Sequence, residues 1–219
     1  MNTVAPTLFP LNHPLARPYL VFCLLPSLGL HATQAAALVP ENILEHATDL
    51  PSLHSHWSAE LSSTLEPVLG LDDPVLPLAM LPAERFDTLA LYAGAVLAGQ
   101  PIRRCIARTD VQAMRAELGD AILNFTRSRA ASIHKGLDDL AWRTESIGAD
   151  TLALGQVMLA HVLLTATPAI RQRGLLRLPI AAPSHAQAFP LSQAESLRIS
   201  LALLQEVEPE WLSLFPSTH

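Results

Sequence analysis

The sequence has 219 residues, half of them apolar and 16% charged, with a formal net charge of -6 at pH 7. This balance excludes a disordered chain, which would be rich in charge and poor in apolar residues, and the net acidity argues against a nucleic-acid-binding protein, which needs a basic face. The length fits one large domain or one domain with an arm.

Proline divides the sequence into two regions. Eleven of the 18 prolines fall in residues 1–82, and none lies between Pro101 and Pro168. Because proline removes a backbone donor and clashes inside a helix, short elements and loops are predicted for the first region and long helices for the second. We therefore predict a mainly α fold, a single helical domain with an irregular Pro-rich N-terminal arm and at most short extended segments. Residues 1–82 are predicted to pack on a helical body, residues 83–219.

The Pro-rich region is predicted in pieces. Residues 1–37 are expected to be an arm with short extended segments, among them residues 19–22, and they lack the basic start of a signal peptide. A short helix is predicted to start at Pro40, since proline suits the first helical position, and to run through His46. One or two helical turns are predicted at residues 57–65.

Two helices and a short one between them are predicted after the Pro-rich region. The first begins after Pro82 and ends at Gly99; a short helix starts at Pro101. Thr109 with Gln112 three residues later has the pattern of a capping box at the start of the next helix. Apolar residues of the first helix recur at helical spacing: Phe86, Leu89, Ala93, Val96 and Leu97. The later helix has an apolar seam for packing on another helix: Val111, Met114, Leu118, Ala121 and Phe125.

A strongly apolar helix is predicted at residues 147–164, after a linker at residues 132–139. The apolar segment contains Gly155, Gln156 and His161. These residues favour a buried core helix over a membrane span, which needs about 20 predominantly apolar residues.

Short elements are predicted to follow. Thr167 and Pro168 suit the N-cap and first turn of a short helix, and residues 175–182 are predicted to be extended. Ser192 with Glu195 forms a second capping box. The buried stripe of the helix behind it is predicted to consist of Ala194, Leu197, Leu201 and Leu204.

The two cysteines, Cys23 and Cys105, are too few for a disulfide framework, and we expect free buried thiols in a reducing cytosol. Because Cys105 follows two arginines, a cysteine hydrolase that uses this thiol and a histidine is one alternative. Its apolar neighbours Ile102 and Ile106 favour a buried structural cysteine instead.

The nine histidines raise the question of a metal site. His54 and His56 lie two residues apart with His46 upstream, but a zinc site needs about four converging ligands, usually including Cys or a carboxylate. The sequence also lacks a Gly-rich phosphate loop. We predict no metal, no cofactor and no catalytic residue.

Charge is distributed unevenly along the chain. Residues 41–87 contain nine acids and one base, whereas residues 101–129 contain six arginines and three acids. Such a pattern suits a protein that docks on other proteins through separate faces. It is equally compatible with the two segments pairing with each other inside the fold.

Three segments resemble the SctK family of type III secretion proteins, the YscK/PscK-like proteins. Residues 91–106 combine a Leu-rich helix, a glycine and an Ile-Arg-Arg-Cys stretch, and residues 174–183 are similar to the family's Leu-Arg-Leu-Pro segment. Residues 14–26 resemble its Pro-x-x-Tyr entry. The order and spacing of the three segments agree with the family, whereas residues 27–80 and 130–165 match it only in character.

The resemblance implies a cytosolic, largely helical, non-enzymatic adaptor of the injectisome sorting platform at the inner membrane. It implies a bridge between the cytoplasmic domain of the ring protein SctD and the pod component SctQ, with SctL and the ATPase SctN as indirect partners. Neither nucleic acid binding nor membrane insertion is expected. A secretion chaperone or another substrate-binding module of the same system is the alternative.

Five residues are predicted to bind partners. Arg103 and Arg104 suit a polar contact through the planar donor fork of arginine, with internal pairing as the alternative. Trp57, Trp211 and Phe215 suit apolar anchors of an interface, with core packing as the alternative.

Overall fold

The computed structural model describes residues 12–38, 51–138 and 146–216. In these ranges the chain forms thirteen α-helices and one 3₁₀ turn, Pro26–Gly29, and no β-strand. The mainly α prediction is confirmed. In chain order the helices are α1 (Ala16–Leu24), α2 (Ala32–Leu38), α3 (Pro51–Thr64), α4 (Leu76–Ala79), α5 (Ala83–Leu97), α6 (Gly99–Arg104), α7 (Arg108–Ser128), α8 (Ala130–Ile133), α9 (Ile147–Leu163), α10 (Pro168–Leu175), α11 (Ala182–Ala186), α12 (Gln193–Val207) and α13 (Pro209–Leu212).

The chain divides into two compact units, each assembled from separate stretches of sequence. The first unit comprises the described residues of Met1–Pro82, Thr165–Ile180 and Glu210–His219. The second comprises those of Ala83–Leu164 and Ala181–Pro209. The predicted division into residues 1–82 and 83–219 stays a prediction.

Helices α5 and α9 cross in close contact within the second unit. Gly94 of α5 lies against the main chain of Thr151, and Gly155 of α9 lies against that of Ala90. A Cβ atom on either glycine would overlap a carbonyl oxygen of the other helix, so the crossing requires two positions without a side chain. The apolar positions predicted for α5 are confirmed as buried, and α9 is the buried helix that the sequence predicted.

The apolar seam predicted for α7 is correct only in its first half. Met114 and Leu118 are buried in a cluster of apolar side chains of the second unit. Gly119 then has φ 79° and ψ 160°, which kinks the helix and rotates the second half. As a result Ala121 is exposed, and Ile122 is buried in its place.

The predicted cap of α7 is wrong. The helix begins at Arg108, its N-cap residue is Ala107, and no side chain caps it. Thr109 therefore lies inside the first turn, where its hydroxyl faces Asp110 at 3.5 Å. The short helix before it, α6, begins at Gly99 rather than at Pro101.

The capping box of α12 is confirmed, but the buried face of that helix is not the predicted one. Ser192 Oγ accepts a hydrogen bond from the Glu195 N–H at 3.2 Å. Of the predicted stripe only Leu204 is fully buried, while Ala194 is exposed. The helix packs against α5 and α9 through a neighbouring face on which small serines allow a close approach: Ser196, Ile199, Ser200, Leu203 and Leu204.

The first unit contains α1 where extended chain was expected. Residues 19–22 lie inside this helix, and Tyr19 and Phe22, three residues apart, are both buried on one face. The Tyr19 hydroxyl donates to the Val68 carbonyl at 2.9 Å. Burial of an aromatic face has overridden the local β preference of this short apolar run.

Residues 175–182 are also not extended. Helix α10 starts at Pro168 as predicted and continues to Leu175, and turns lead from it towards α11. Groups at the start of α2 bind the carbonyls that these turns leave open. The His31 N–H donates to Leu176 O at 2.9 Å, and Gln34 Nε2 donates to Leu178 O at 3.2 Å.

The remaining predictions concern short segments. Helix α3 includes residues 57–64 and is much longer than the one or two turns expected. The predicted linker at residues 132–139 begins with the end of α8. The short helix predicted at residues 40–46 lies outside the described residues.

Candidate functional site

The two predicted arginines lie next to each other on α6, in the second unit, in different surroundings. Arg103 is half-buried, and its Nη2 donates to the Lys135 carbonyl at 2.8 Å. Arg104 is exposed, and its guanidinium has no hydrogen bond or ion pair with any described residue. Arg103 thus holds the structure together locally, whereas Arg104 offers its guanidinium to solvent.

The three predicted aromatic anchors belong to the first unit. Trp211 and Phe215 are buried, with ring centroids 5.3 Å apart, and Trp211 Nε1 donates to the Pro77 carbonyl at 2.9 Å. Trp57 is half-buried on α3 and meets the His54 ring edge-on at 5.7 Å. Of the three rings, Trp57 is the one with a substantial solvent-facing area.

The loop between α6 and α7 exposes an apolar side chain that was predicted to be buried. Ile106 was expected on a buried face with Ile102, yet it is 91% exposed while Ile102 is fully buried. Cys105 between them is half-buried and free, so the expected buried thiol is also wrong. Its Sγ lies 3.9 Å from the Asp110 carboxylate, which is the hydrogen-bond partner that the structure gives it.

Cys23 is likewise free and half-buried. It belongs to α1 in the first unit, beside Tyr19 and within the field of the Arg173 guanidinium. Burial raises the pKa of the Cys23 thiol, which keeps it protonated at neutral pH.

Of the histidines considered for a metal site, His54 has a structural role. His54 Nδ1 lies 3.2 Å from Ser27 Oγ, which also contacts Ser58 Oγ at 2.6 Å, and the three residues join the 3₁₀ turn to α3. His56 is exposed, and His46 lies outside the described residues. Within the described ranges no group of three or more His, Cys, Asp or Glu side chains is placed to hold a metal ion.

Two arginines of the first unit, one buried and one half-buried, have structural roles that the sequence did not predict. Arg173 is 5% exposed, and its Nη1 donates to the carbonyls of Glu66 at 2.6 Å and Ala169 at 3.0 Å. Arg177 donates to the Leu81 carbonyl and lies over the Phe22 ring, with its Cζ 5.8 Å from the centroid. Burial lowers the pKa of Arg177 to about 10, so the group remains charged at neutral pH. Both arginines tie the α10 segment to the N-terminal stretch.

An acidic loop of the first unit borders a cavity of about 310 Å³. Leu69 in this loop is 77% exposed, and Glu66 and Asp72 are exposed as well. Asp73 has a local structural role because its two oxygens accept from the Val75 and Thr167 N–H groups at 2.9 and 2.8 Å. The carboxylates that this loop presents to solvent are therefore those of Glu66 and Asp72.

A second cavity, of about 440 Å³, lies in the second unit and is mostly apolar. Asp150 and His185 are its ionisable lining residues. The apolar lining comes mainly from α9 and from the segment after α11: Leu154, Val157, Ala188, Phe189 and Pro190. A cavity of this size and lining could take an apolar side chain of another protein.

The ion pairs of the second unit show where several arginines find their partners. Arg129 Nη2 lies 2.9 Å from Glu206, and Arg115 Nε lies 2.6 Å from Asp120. Both of these arginines come from the basic stretch 101–129, and both pair with acids outside residues 41–87. Arg104 and Arg108 are among the arginines of this stretch that have no such ion pair with a described residue.

His134 forms a polar junction with the start of α12 in the second unit. Its Nδ1 accepts from the Gly136 N–H at 3.0 Å, and its Nε2 lies 3.6 Å from Glu195 Oε1. Burial lowers the pKa of His134, while Glu195 opposes that effect and Arg198 adds to it. The ring is consequently neutral at pH 7, and its contact with Glu195 is not an ion pair at that pH.

We expect His134 to make folding less favourable in acid. The unfolded chain takes up this proton near pH 6.5 and the folded chain only at lower pH, so the free energy of unfolding falls as pH drops below about 6.5. A His134→Asn variant keeps an acceptor for Gly136 and does not titrate. Urea denaturation at about pH 7.5 and pH 5.5 should show a smaller loss of stability for the variant than for the parent; equal losses would contradict the prediction.

No helix in the described part of the chain is long and apolar enough to cross a membrane.

Comparison with known proteins identifies a family that covers most of the chain. Residues 35–216 match the family described as YOP proteins translocation protein K (YscK). No curated protein and no solved structure matches the chain at a significant level. The matched residues include two of the three segments that resemble the SctK family, and they span far more than half of the sequence. The chain belongs to the YscK family of type III secretion proteins.

Proposed function

We propose that this chain is a structural adaptor of the type III secretion sorting platform. In this role it bridges the cytoplasmic domain of an SctD-like ring protein and an SctQ-like pod component, at the cytoplasmic face of the inner membrane. SctL and SctN are engaged only indirectly, through the pods. The observation that carries the proposal is membership of the YscK family, a family of type III secretion components.

The exposed side chains of the two units support a role with two partners. In the second unit Ile106 is exposed between the exposed Arg104 and Arg108. In the first unit Leu69 is exposed in the loop that carries Glu66. An apolar centre with a charged rim is the usual composition of a protein interface, and the opposite signs of the two rims suit two different partners.

The adaptor proposal is tested by binding of purified components. The full chain is immobilised and exposed separately to the SctQ homologue and to the SctD cytoplasmic domain encoded in the same gene cluster. We expect saturable binding of each one, and binding of the second to the complex with the first. If neither component binds, the adaptor proposal is wrong.

The alternative, a secretion chaperone or substrate-binding module, is favoured by one observation. The apolar cavity of about 440 Å³ in the second unit could hold an apolar side chain of an exported protein. Light scattering on the purified chain separates the two functions, since an obligate dimer that binds an exported protein and neither platform component would favour the chaperone.

A further inference from the structure

The α6–α7 loop holds one large apolar side chain almost fully in solvent. Ile106 is 91% exposed, whereas Ile102, four residues earlier, is fully buried. The residues on either side of Ile106 are extended, with φ -73° and ψ 117° at Cys105 and φ -64° and ψ 129° at Ala107. This backbone directs the isoleucine away from the two helices that the loop connects.

The loop is held firmly at both ends. The Cys105 N–H donates to Pro101 O at 3.2 Å, and the Val111 N–H donates to Ala107 O at 3.0 Å. Cys105 itself packs on the apolar cluster of the second unit. A partner would therefore meet a preformed protrusion and would lose little affinity to the ordering of a flexible segment.

Two positively charged side chains flank the isoleucine along the chain. The side chains of Arg104 and Arg108 are exposed, and neither guanidinium has a hydrogen bond or ion pair with a residue in the described ranges. Arg108 is the first residue of α7, where the helix dipole favours an anion over a cation. The nearby acid, Asp110, contacts Cys105 and Thr109 instead. Arg104 lies in the last turn of α6, where the helix dipole does favour a cation, so only at Arg108 does the fold give no reason for arginine.

We propose that Arg104, Ile106 and Arg108 form a docking protrusion for a protein partner that offers an apolar pocket bordered by carboxylates. Ile106 fills the pocket, and the two guanidinium groups pair with the carboxylates, for which their donor fork is suited. The inference rests on the proposed adaptor function and assigns this surface to one of its two partners.

The test compares equilibrium dissociation constants of the full chain for the purified SctQ homologue and SctD cytoplasmic domain. The variants are Ile106→Asp and the double variant Arg104→Glu with Arg108→Glu. The matched controls are Leu24→Asp, an exposed leucine of α1, and Arg127→Glu, an exposed arginine of α7. Thermal unfolding of each variant checks that it remains folded.

We expect both variants to weaken binding of one partner by about tenfold or more and to leave the other unchanged, while both controls stay close to the parent. Added salt should weaken that same contact in the parent but not in the double variant, because salt screens an attraction in the parent and a repulsion between carboxylates in the variant.

Three results would overturn the inference. If the parent binds both components and Ile106→Asp changes neither, the surface is wrong and the adaptor function stands. If the parent binds neither component, both proposals fall together. If light scattering shows a dimer of the parent that Ile106→Asp converts to a monomer, the occupant is a second copy of the chain and not a platform component.

Discussion

Gly155→Ala, or equally Gly94→Ala, is expected to lower the free energy of unfolding by about 3 kcal/mol or more. A Cβ at residue 155 would overlap the Ala90 carbonyl oxygen, and one at residue 94 would overlap the Thr151 carbonyl oxygen. These atoms belong to helix backbones and not to flexible side chains, so α5 and α9 would have to separate. The higher helix propensity of alanine, about 1 kcal/mol, offsets only part of this cost.

Gly70→Ala is the matched control for both glycine variants. Among the described residues beyond its chain neighbours, a Cβ there would approach only Asp72 Oδ2 within 4 Å, at 3.9 Å. Urea denaturation followed by far-UV circular dichroism should give a nearly unchanged midpoint for this control. If either helix variant unfolds at the same urea concentration as the parent, the close crossing of α5 and α9 is wrong.

Trp211→Ala is expected to destabilise the chain by about 3–5 kcal/mol. The ring is 6% exposed, meets the Phe215 ring edge-on, and donates to Pro77 O at 2.9 Å. The variant thus leaves a cavity and an unpaired carbonyl. Trp211→Phe keeps most of the ring and should lose about 1 kcal/mol, the usual net value of one hydrogen bond.

Trp57→Ala is the control for Trp211→Ala, because it removes a tryptophan that is only half-buried. Trp57 is half-buried and meets His54 at its edge, so about 1 kcal/mol or less is expected. Guanidinium denaturation measures all three variants. Similar losses for Trp57→Ala and Trp211→Ala would show that Trp211 does not serve as a core residue.

The helices that were predicted well carry strong local signals. Helix α5 has a regular apolar period after a proline, and α12 has a capping box whose bond between Ser192 and Glu195 is present. The buried face of α12 could not be read in the same way. Two serines, Ser196 and Ser200, lie in that face because α5 and α9 approach closely there, and this approach is a property of the assembled unit.

The secondary-structure predictions were wrong where contacts between residues far apart in sequence outweigh the local conformational preference. Residues 19–22 form part of a helix because Tyr19 and Phe22 are buried together, and the Tyr19 hydroxyl reaches Val68 far along the chain. The residues between α10 and α11 lie in turns whose carbonyls accept hydrogen bonds from His31 and Gln34, far away in the sequence. No window of neighbouring residues contains this information.

The sequence predicted only part of the docking protrusion. The basic stretch drew attention to Arg103 and Arg104, but which of them faces solvent depends on the Lys135 carbonyl that binds Arg103. Ile106 was assigned to a buried face because it follows Ile102 by one helical turn. The helix ends at Arg104, before that period is completed, so Ile106 is left outside it.

The first unit is assembled from stretches that are far apart in sequence, and this affects when it can fold during translation. Its N-terminal stretch leaves the ribosome well before residues 165–180, which supply Arg173 and Arg177, and before Trp211. Phe22 lacks its Arg177 neighbour until residue 177 has been translated, and the Pro77 carbonyl lacks its donor until Trp211 has been translated. In the meantime both are open to chaperones or to non-native contacts. The N-terminal part of the first unit therefore lacks its C-terminal packing partners during most of the synthesis of the chain.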